Sequence, residues 1–170
     1  ATGYVSKIDA ETGDVIWRKR ETSSSIYAID YNEEHDEIVA GNSNSGIYLI
    51  RSNGDTIGYS VSSSTIRKLI HNGYETYILN SVELQSFGTY GNVMSFKKNL
   101  SYSSIAVDNE GFLYATTASG YIDKMNNDGA ELFSVYRGKS GQTNGAVIYD
   151  KVLDKLYMLN ENTVSAISKN

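Results

Sequence analysis

The sequence contains no cysteine and no proline among its 170 residues. Without cysteine there is no disulfide, no thiol nucleophile and no thiolate metal site. Without proline, turns fall to Gly, Asn, Asp and Ser, which accept positive φ or hydrogen-bond their own backbone. No apolar run reaches the roughly 18 residues of a membrane-spanning helix, so membrane insertion is not expected. Ala1-Thr2-Gly3-Tyr4 offers neither the basic nor the apolar part of a signal peptide. It also lacks a leading Met, which reads as a processed product or an excised domain. Positive charge is short: 15 Lys and Arg against 20 Asp and Glu leave a net charge of -5. That argues against a nucleic-acid partner, which is held by Lys and Arg on phosphates.

What is present is tyrosine, 14 residues against 4 Phe and 1 Trp. Tyr suits strands in which the ring packs while the hydroxyl reaches water. Residues 4–8, Tyr-Val-Ser-Lys-Ile, alternate with the period of a strand, and segments of five to eight residues rich in Ile, Val, Tyr and Thr recur between turn signals. Asn-Gly or Asp-Gly pairs at 53–54, 72–73 and 128–129 favour tight hairpins. No stretch carries a helical repeat.

Three columns of residues recur together. An apolar strand ends at Asp30, His71, Asp108 and Asp150. A glycine hairpin falls at Gly13, Gly54, Gly91 and Gly129, and an aromatic follows at Trp17, Tyr59, Phe96 and Phe133. Their common period of about forty residues, with four short strands in each, is the arithmetic of a β-propeller. The expected fold is therefore all-β, a propeller of four-stranded antiparallel blades with about four blades visible, whole or as part of a larger ring. Repeats fall at 3–41, 42–81, 82–118 and 119–161, with a partial one at 162–170. The innermost strands would be 26–30, 66–71, 105–108 and 146–150, and the outermost would carry the aromatic column. The third strand occurs five times, the others four. The strands at 4–9 and 164–168 therefore compete for one place, and one of them should complete a blade with the opposite terminus, within the chain or across a homo-oligomer.

Residues 3–17, Gly-Tyr-Val-Ser-Lys-Ile-Asp-Ala-Glu-Thr-Gly-Asp-Val-Ile-Trp, resemble the repeat of the quinoprotein-type (PQQ-like) propellers, Gly-x-Val-x-Ala-Leu-Asp-x-x-Thr-Gly-x-x-x-Trp. Residues 162–170 resemble its first half, and the middle repeats are closer in outline to NHL-type propellers. The resemblance implies a propeller over the whole chain. It covers quinone-dependent dehydrogenases and non-enzymatic protein-binding scaffolds alike. The enzymes hold their cofactor in a ring of about eight blades with a vicinal disulfide and acidic residues around calcium, and a chain with no cysteine and four repeats departs from them. No cofactor, no metal and no catalytic residue are expected.

The two histidines, His35 and His71, read as exposed turn residues in different repeats, without the third ligand a metal needs. Asp30, Asp108 and Asp150 could ring a calcium ion, but His71 interrupts their column, and each is better read as capping its own turn. The acidic run 32–37 reads as a solvated turn. There is no Gly-x-Ser-x-Gly elbow and no phosphate loop.

The connecting loops divide into a Ser-, Thr-, Asn- and Tyr-rich face and an acidic face. Small hydroxyls, amides and Tyr make adaptable recognition surfaces. The candidate binding residues are Ser23, Ser24, Asn42, Asn44, Ser63, Tyr102, Ser103 and Asn144. The expected function is non-enzymatic recognition or assembly, with a protein or a surface glycan as partner. Residue usage suggests a low-GC bacterium or its phage, so a tail or receptor-binding component at a virion or cell surface is the concrete form. The alternatives are a propeller hydrolase or lyase acting on polysaccharide, and a structural spacer.

Overall fold

The computed structural model describes residues 3–33, 35–60, 64–72, 74–88, 94–98, 102–136, 145–160 and 163–167. Every regular element in them is a short strand, and all pairings are antiparallel. Three sheets have four strands each. The first runs β3 (Ile26–Asn32), β4 (Glu37–Asn42), β5 (Gly46–Arg51), β6 (Thr56–Ser60). The second runs β7 (Lys68–His71), β8 (Glu75–Leu79), β9 (Leu84–Gly88), β10 (Met94–Lys98). The third runs β11 (Tyr102–Val107), β12 (Leu113–Thr117), β13 (Tyr121–Met125), β14 (Glu131–Tyr136). At the ends lie a two-stranded sheet, β1 (Tyr4–Ile8) with β2 (Val15–Arg20), and a three-stranded one, β15 (Val147–Asp150), β16 (Lys155–Asn160), β17 (Thr163–Ile167). By position, β1 and β2 are the third and fourth strands of a blade, and β15 to β17 are the first three.

The core consists of four seams between successive blades. Alternation sends odd and even residues of each strand to opposite neighbours. In the first full blade, Val39, Leu49 and Ile47 face forward onto Ile66, Leu69, Ile78 and Phe87 of the second. Its backward face, Ala40 and Ile50 with Ile38 and Tyr48, packs on Val5 and Trp17. The second blade turns Tyr77, Leu79 and Leu84 onto Ile105, Leu113, Ala115 and Met125 of the third. The third turns Ala106, Tyr114 and Ile122 onto Val147 and Leu156. Strands β8, β9 and β12 lie between two seams and are buried on both faces. The outermost β2 and β14 keep every second residue exposed.

The aromatic column sits on the outermost strands where it is described. Trp17 on β2 is half-buried and donates from Nε1 to the Ser52 carbonyl of the next blade at 3.2 Å. Phe96 on β10 lies 6.3 Å from the Tyr77 ring. Phe133 on β14 packs on the seam to the last blade. The Tyr59 side chain lies outside the described residues.

The turn column is the expected one at Asp108 and Asp150 and shifted in the two blades before them. The residue that caps each turn after an inner strand is Asn32, Asn72, Asp108 or Asp150. Asn32 Oδ1 accepts from His35 N, and Asn72 Oδ1 from Tyr74 N and Glu75 N. Asp108 Oδ1 accepts from Glu110 N and Phe112 N, and Asp150 Oδ1 from Val152 N and Leu153 N. The two members expected from the sequence, Asp30 and His71, fall short of the turn by two residues and one residue. Asp30 instead accepts the backbone N–H of His71 from the neighbouring blade at 2.8 Å. His71 is no exposed turn residue: it ends β7, buried at 4% exposure, while His35 is exposed in its turn.

Of the two closures expected for the terminal strands, the one within a single chain is not formed among the described residues. Among the described residues β1 pairs only with β2 and β17 only with β16, so neither completes a blade with the opposite terminus within one chain.

Candidate functional site

The inner strands β3, β7, β11 and β15 stand side by side around the concave side of the arc. They enclose a cleft of about 970 Å³. Its mouth is formed by the turns that follow those strands, so it opens on the acidic face. Asp30, Glu33, Glu75, Asp108 and Glu110 line it, against Lys68 and Lys151. The cleft is therefore net negative, and a cation is attracted to it.

Lys68 holds the floor together. Its Nζ donates to Ser104 Oγ at 3.0 Å and to the Val147 carbonyl at 3.4 Å, joining β7, β11 and β15. Burial holds its pKa below the usual lysine value, and the Asp30 carboxylate partly offsets this. His71 lies at the cleft wall with Nδ1 3.0 Å from Thr76 Oγ1 and Nε2 3.7 Å from Glu37 Oε2. Burial depresses its pKa, opposed mainly by Glu37, so the ring is neutral at pH 7. At the rim, the His35 and Tyr74 rings meet edge to face with centroids 6.2 Å apart. Tyr74 is 71% exposed.

The acids deeper in the cleft are already engaged. Asp108 accepts two backbone N–H groups on one oxygen and the Tyr114 hydroxyl on the other at 3.0 Å. Glu75 accepts from Ser86 Oγ. Burial and Asp108 together push the Tyr114 hydroxyl pKa well up, keeping it a donor. Among the described residues no group of three His, Cys, Asp or Glu could hold a metal ion.

Of the eight residues expected to bind, six are described. Ser23 and Asn44 are exposed, and Ser24 and Ser103 are half-buried, all on the face away from the cleft mouth. Asn42 and Tyr102 are buried. Asn42 is 2% exposed: its Oδ1 accepts from Asn44 N and Gly46 N, and its Nδ2 donates to Thr22 Oγ1 and Tyr48 OH. Asn80 caps the equivalent turn of the next blade, with Oδ1 accepting from Val82 N and Glu83 N. Both are turn-builders. Tyr102 is 5% exposed and donates its hydroxyl to Asp123 Oδ2 at 2.9 Å. Ser63 and Asn144 lie outside the described residues.

Sequence reasoning missed Lys68 and the aromatic rim. The available signal was charge on an inner strand: Asp30, Lys68 and Asp150 are the charged residues of β3, β7 and β15.

No family model matches the chain, and no curated protein does. Among solved structures it is similar to the β-propeller domain of Cps50 (Swd1) from Myceliophteria thermophila, with a TM-score of 0.67 and 14% identity. The match covers 85% of this chain and 54% of that one, so the chain spans about half the length of that domain. The chain thus has a β-propeller fold, built from repeated four-stranded antiparallel blades.

Proposed function

We propose that this propeller is a non-enzymatic recognition module that takes a cationic protein segment at the mouth of the inner-strand cleft. The observation that carries the reading is the acidic cleft of about 970 Å³ with an exposed Tyr74–His35 rim. A concave site with a rigid aromatic at its edge and unlike charge suits a Lys- or Arg-bearing peptide. A polysaccharide hydrolase needs one carboxylate free to take a proton and another free to stabilise charge. Asp30 and Asp108 are each held by donors of the chain itself, which speaks against that role.

Within propellers, the quinoprotein-type pattern of residues 3–17 has a physical basis here. Gly3 and Gly13 take φ of +58° and +77°, and a Cβ on Gly3 would meet the Thr22 carbonyl. Trp17 reaches the following blade, as the repeat's closing aromatic should. These features support a place among such scaffolds.

The test is a titration of ¹⁵N-labelled protein with a Lys/Arg-rich peptide, a Glu-rich peptide of equal length and a neutral oligosaccharide. The expected result is that only the basic peptide moves the amides of Tyr74, Asn109 and Glu110, and that Glu110→Lys weakens it at least tenfold. Shifts confined to Ser23, Asn44 and Ser103 with the oligosaccharide would contradict this reading and favour a glycan on the opposite face.

A further inference from the structure

The inner-strand residues four before the turn caps Asn32, Asn72, Asp108 and Asp150 are Ala28, Lys68, Ser104 and Ala146. Three of them are small and one is a long cation. Lys68 Nζ donates to Ser104 Oγ at 3.0 Å and to the Val147 carbonyl at 3.4 Å, and Ser104 Oγ donates to that same carbonyl at 3.4 Å. The three groups meet on the cleft floor, each from a different inner strand or the segment leading into it.

These bonds leave a charge unanswered. An ammonium has three donors, and both acceptors of Lys68 are uncharged. Lys68 makes no ion pair with a described residue. Asp30 acts on it electrostatically, but turns Oδ2 to the His71 N–H at 2.8 Å. A cation withdrawn from water is costly unless a counter-charge meets it. A strut between strands needs only a neutral donor, and a Gln could make the same two bonds without that cost. Lys151, the other cation lining the cleft, stands exposed in a turn, where water solvates it. Lys68 is thus a cation set over a cavity with no anion supplied by its own surroundings.

We infer that Lys68 is an anion-taking subsite on the cleft floor, which receives a carboxylate of the same ligand whose cation sits at the acidic mouth. The inference rests on the reading of the mouth given above. A lone anion would have to pass Glu33, Asp108 and Glu110, which repel it, whereas a ligand of both signs is drawn in by the mouth and held by the floor. One carboxylate oxygen takes the third N–H of Lys68 as a charge-assisted bond. The other is within the turning range of the Ser104 hydroxyl, whose present bond to Val147 is long. A bound carboxylate also offsets the burial that holds the Lys68 pKa down. From Lys68 to the cap Asn72 the strand rises about 13 Å over four residues. In an extended segment the acid therefore lies about four residues from the base.

The test titrates ¹⁵N-labelled protein with three peptides that share one Lys-bearing half. Four residues beyond the Lys, the first ends in a free C-terminal carboxylate, the second carries Glu with its terminus amidated, and the third carries Gln with its terminus amidated. Acetate is the fourth ligand. Either carboxylate should tighten binding about tenfold over the Gln peptide, the worth of one charge-assisted hydrogen bond. It should also move the amides of Lys68 and Ser104 together with those of Tyr74 and Glu110. Lys68→Met should bind all three peptides alike, and Lys68→Arg should keep the preference. A gain with only one of the two acids supports the subsite and names its source, chain end or side chain. Equal binding of the three peptides by the wild type, with Tyr74 and Glu110 shifting, overturns the inference and leaves the reading of the mouth intact. A preference that Lys68→Met retains overturns it too, since a mere strut would explain the structure. If no peptide binds but acetate moves Lys68 and Ser104, the reading of the mouth fails and the floor subsite stands. If neither binds, both fall.

Discussion

The inner strands β3 and β11 hold the same place in their blades and differ sharply in exposure. β11 is sealed on both sides, with Ile105 at 0% and Ala106 at 4%. β3 is sealed only forward: Ala28 is 9% exposed, while Ile29 beside it is 60%. The two sequences, Ile-Tyr-Ala-Ile-Asp-Tyr-Asn and Tyr-Ser-Ser-Ile-Ala-Val, do not announce this. Each blade is therefore a unit that leaves two apolar faces for neighbours to cover, and its strands are as buried as those neighbours make them. A residue's contribution to stability follows from its seam rather than from its own strand.

The largest effect should separate the middle from the ends. Leu113→Ala, fully buried in the central seam, should cost about 3–4 kcal/mol, as deletion of a core Leu does. Ile148→Ala, more than half exposed on the end face, should cost under about 1 kcal/mol in the isolated monomer. Urea midpoints measured under monomeric conditions compare the two, and equal losses would break the contrast.

The next effect concerns a turn rather than a seam. Asp108→Ala removes the acceptor for two backbone N–H groups and strands the buried Tyr114 hydroxyl. The expected loss is about 2–3 kcal/mol. Asp150→Ala, the same cap on the end blade, leaves only exposed N–H groups and should cost about 1 kcal/mol or less.

Trp17→Ala should fall between the ring's full burial and its exposure. The side chain is half-buried at the first seam, so about 1–2 kcal/mol is expected rather than the 3–5 kcal/mol of a core aromatic.

The smallest effect is a pH dependence. The folded state holds His71 neutral by burial, with its pKa below 6.5, while the unfolded chain protonates near 6.5. Between those two values the unfolded state binds more protons, so stability falls as pH drops below about 6.5 and is regained above it. His71→Gln should flatten this part of the melting-temperature profile. An unchanged profile would mean that Glu37, 3.7 Å from the ring, compensates for burial.

Much of the fold was legible in the sequence. The forty-residue period, the Gly turns and the outer aromatics depend on local geometry and on repeated positions, and these survive wide divergence. The turn column was misread because Asp30 and His71 mimic the cap residues Asn32 and Asn72 at nearly the same spacing. Only the hydrogen bonds separate them. The site was less legible. Asn42 and Tyr102 have the composition of a binding surface but spend their polar atoms inside the chain, on a turn and on Asp123. Lys68 gathers Ser104 and Val147 from two other blades, a meeting that spacing along the chain does not encode.

The claim that a strand's stability is set by the seams on its two faces has a direct test in amide hydrogen exchange. Strands β8, β9 and β12 lie between two seams, whereas β2 and β14 keep every second residue exposed. Exchange in the native state reads the opening free energy of each strand separately. The amides of β8, β9 and β12 should exchange slowest, and those of β2 and β14 much faster. Equal protection of the two groups would contradict the account.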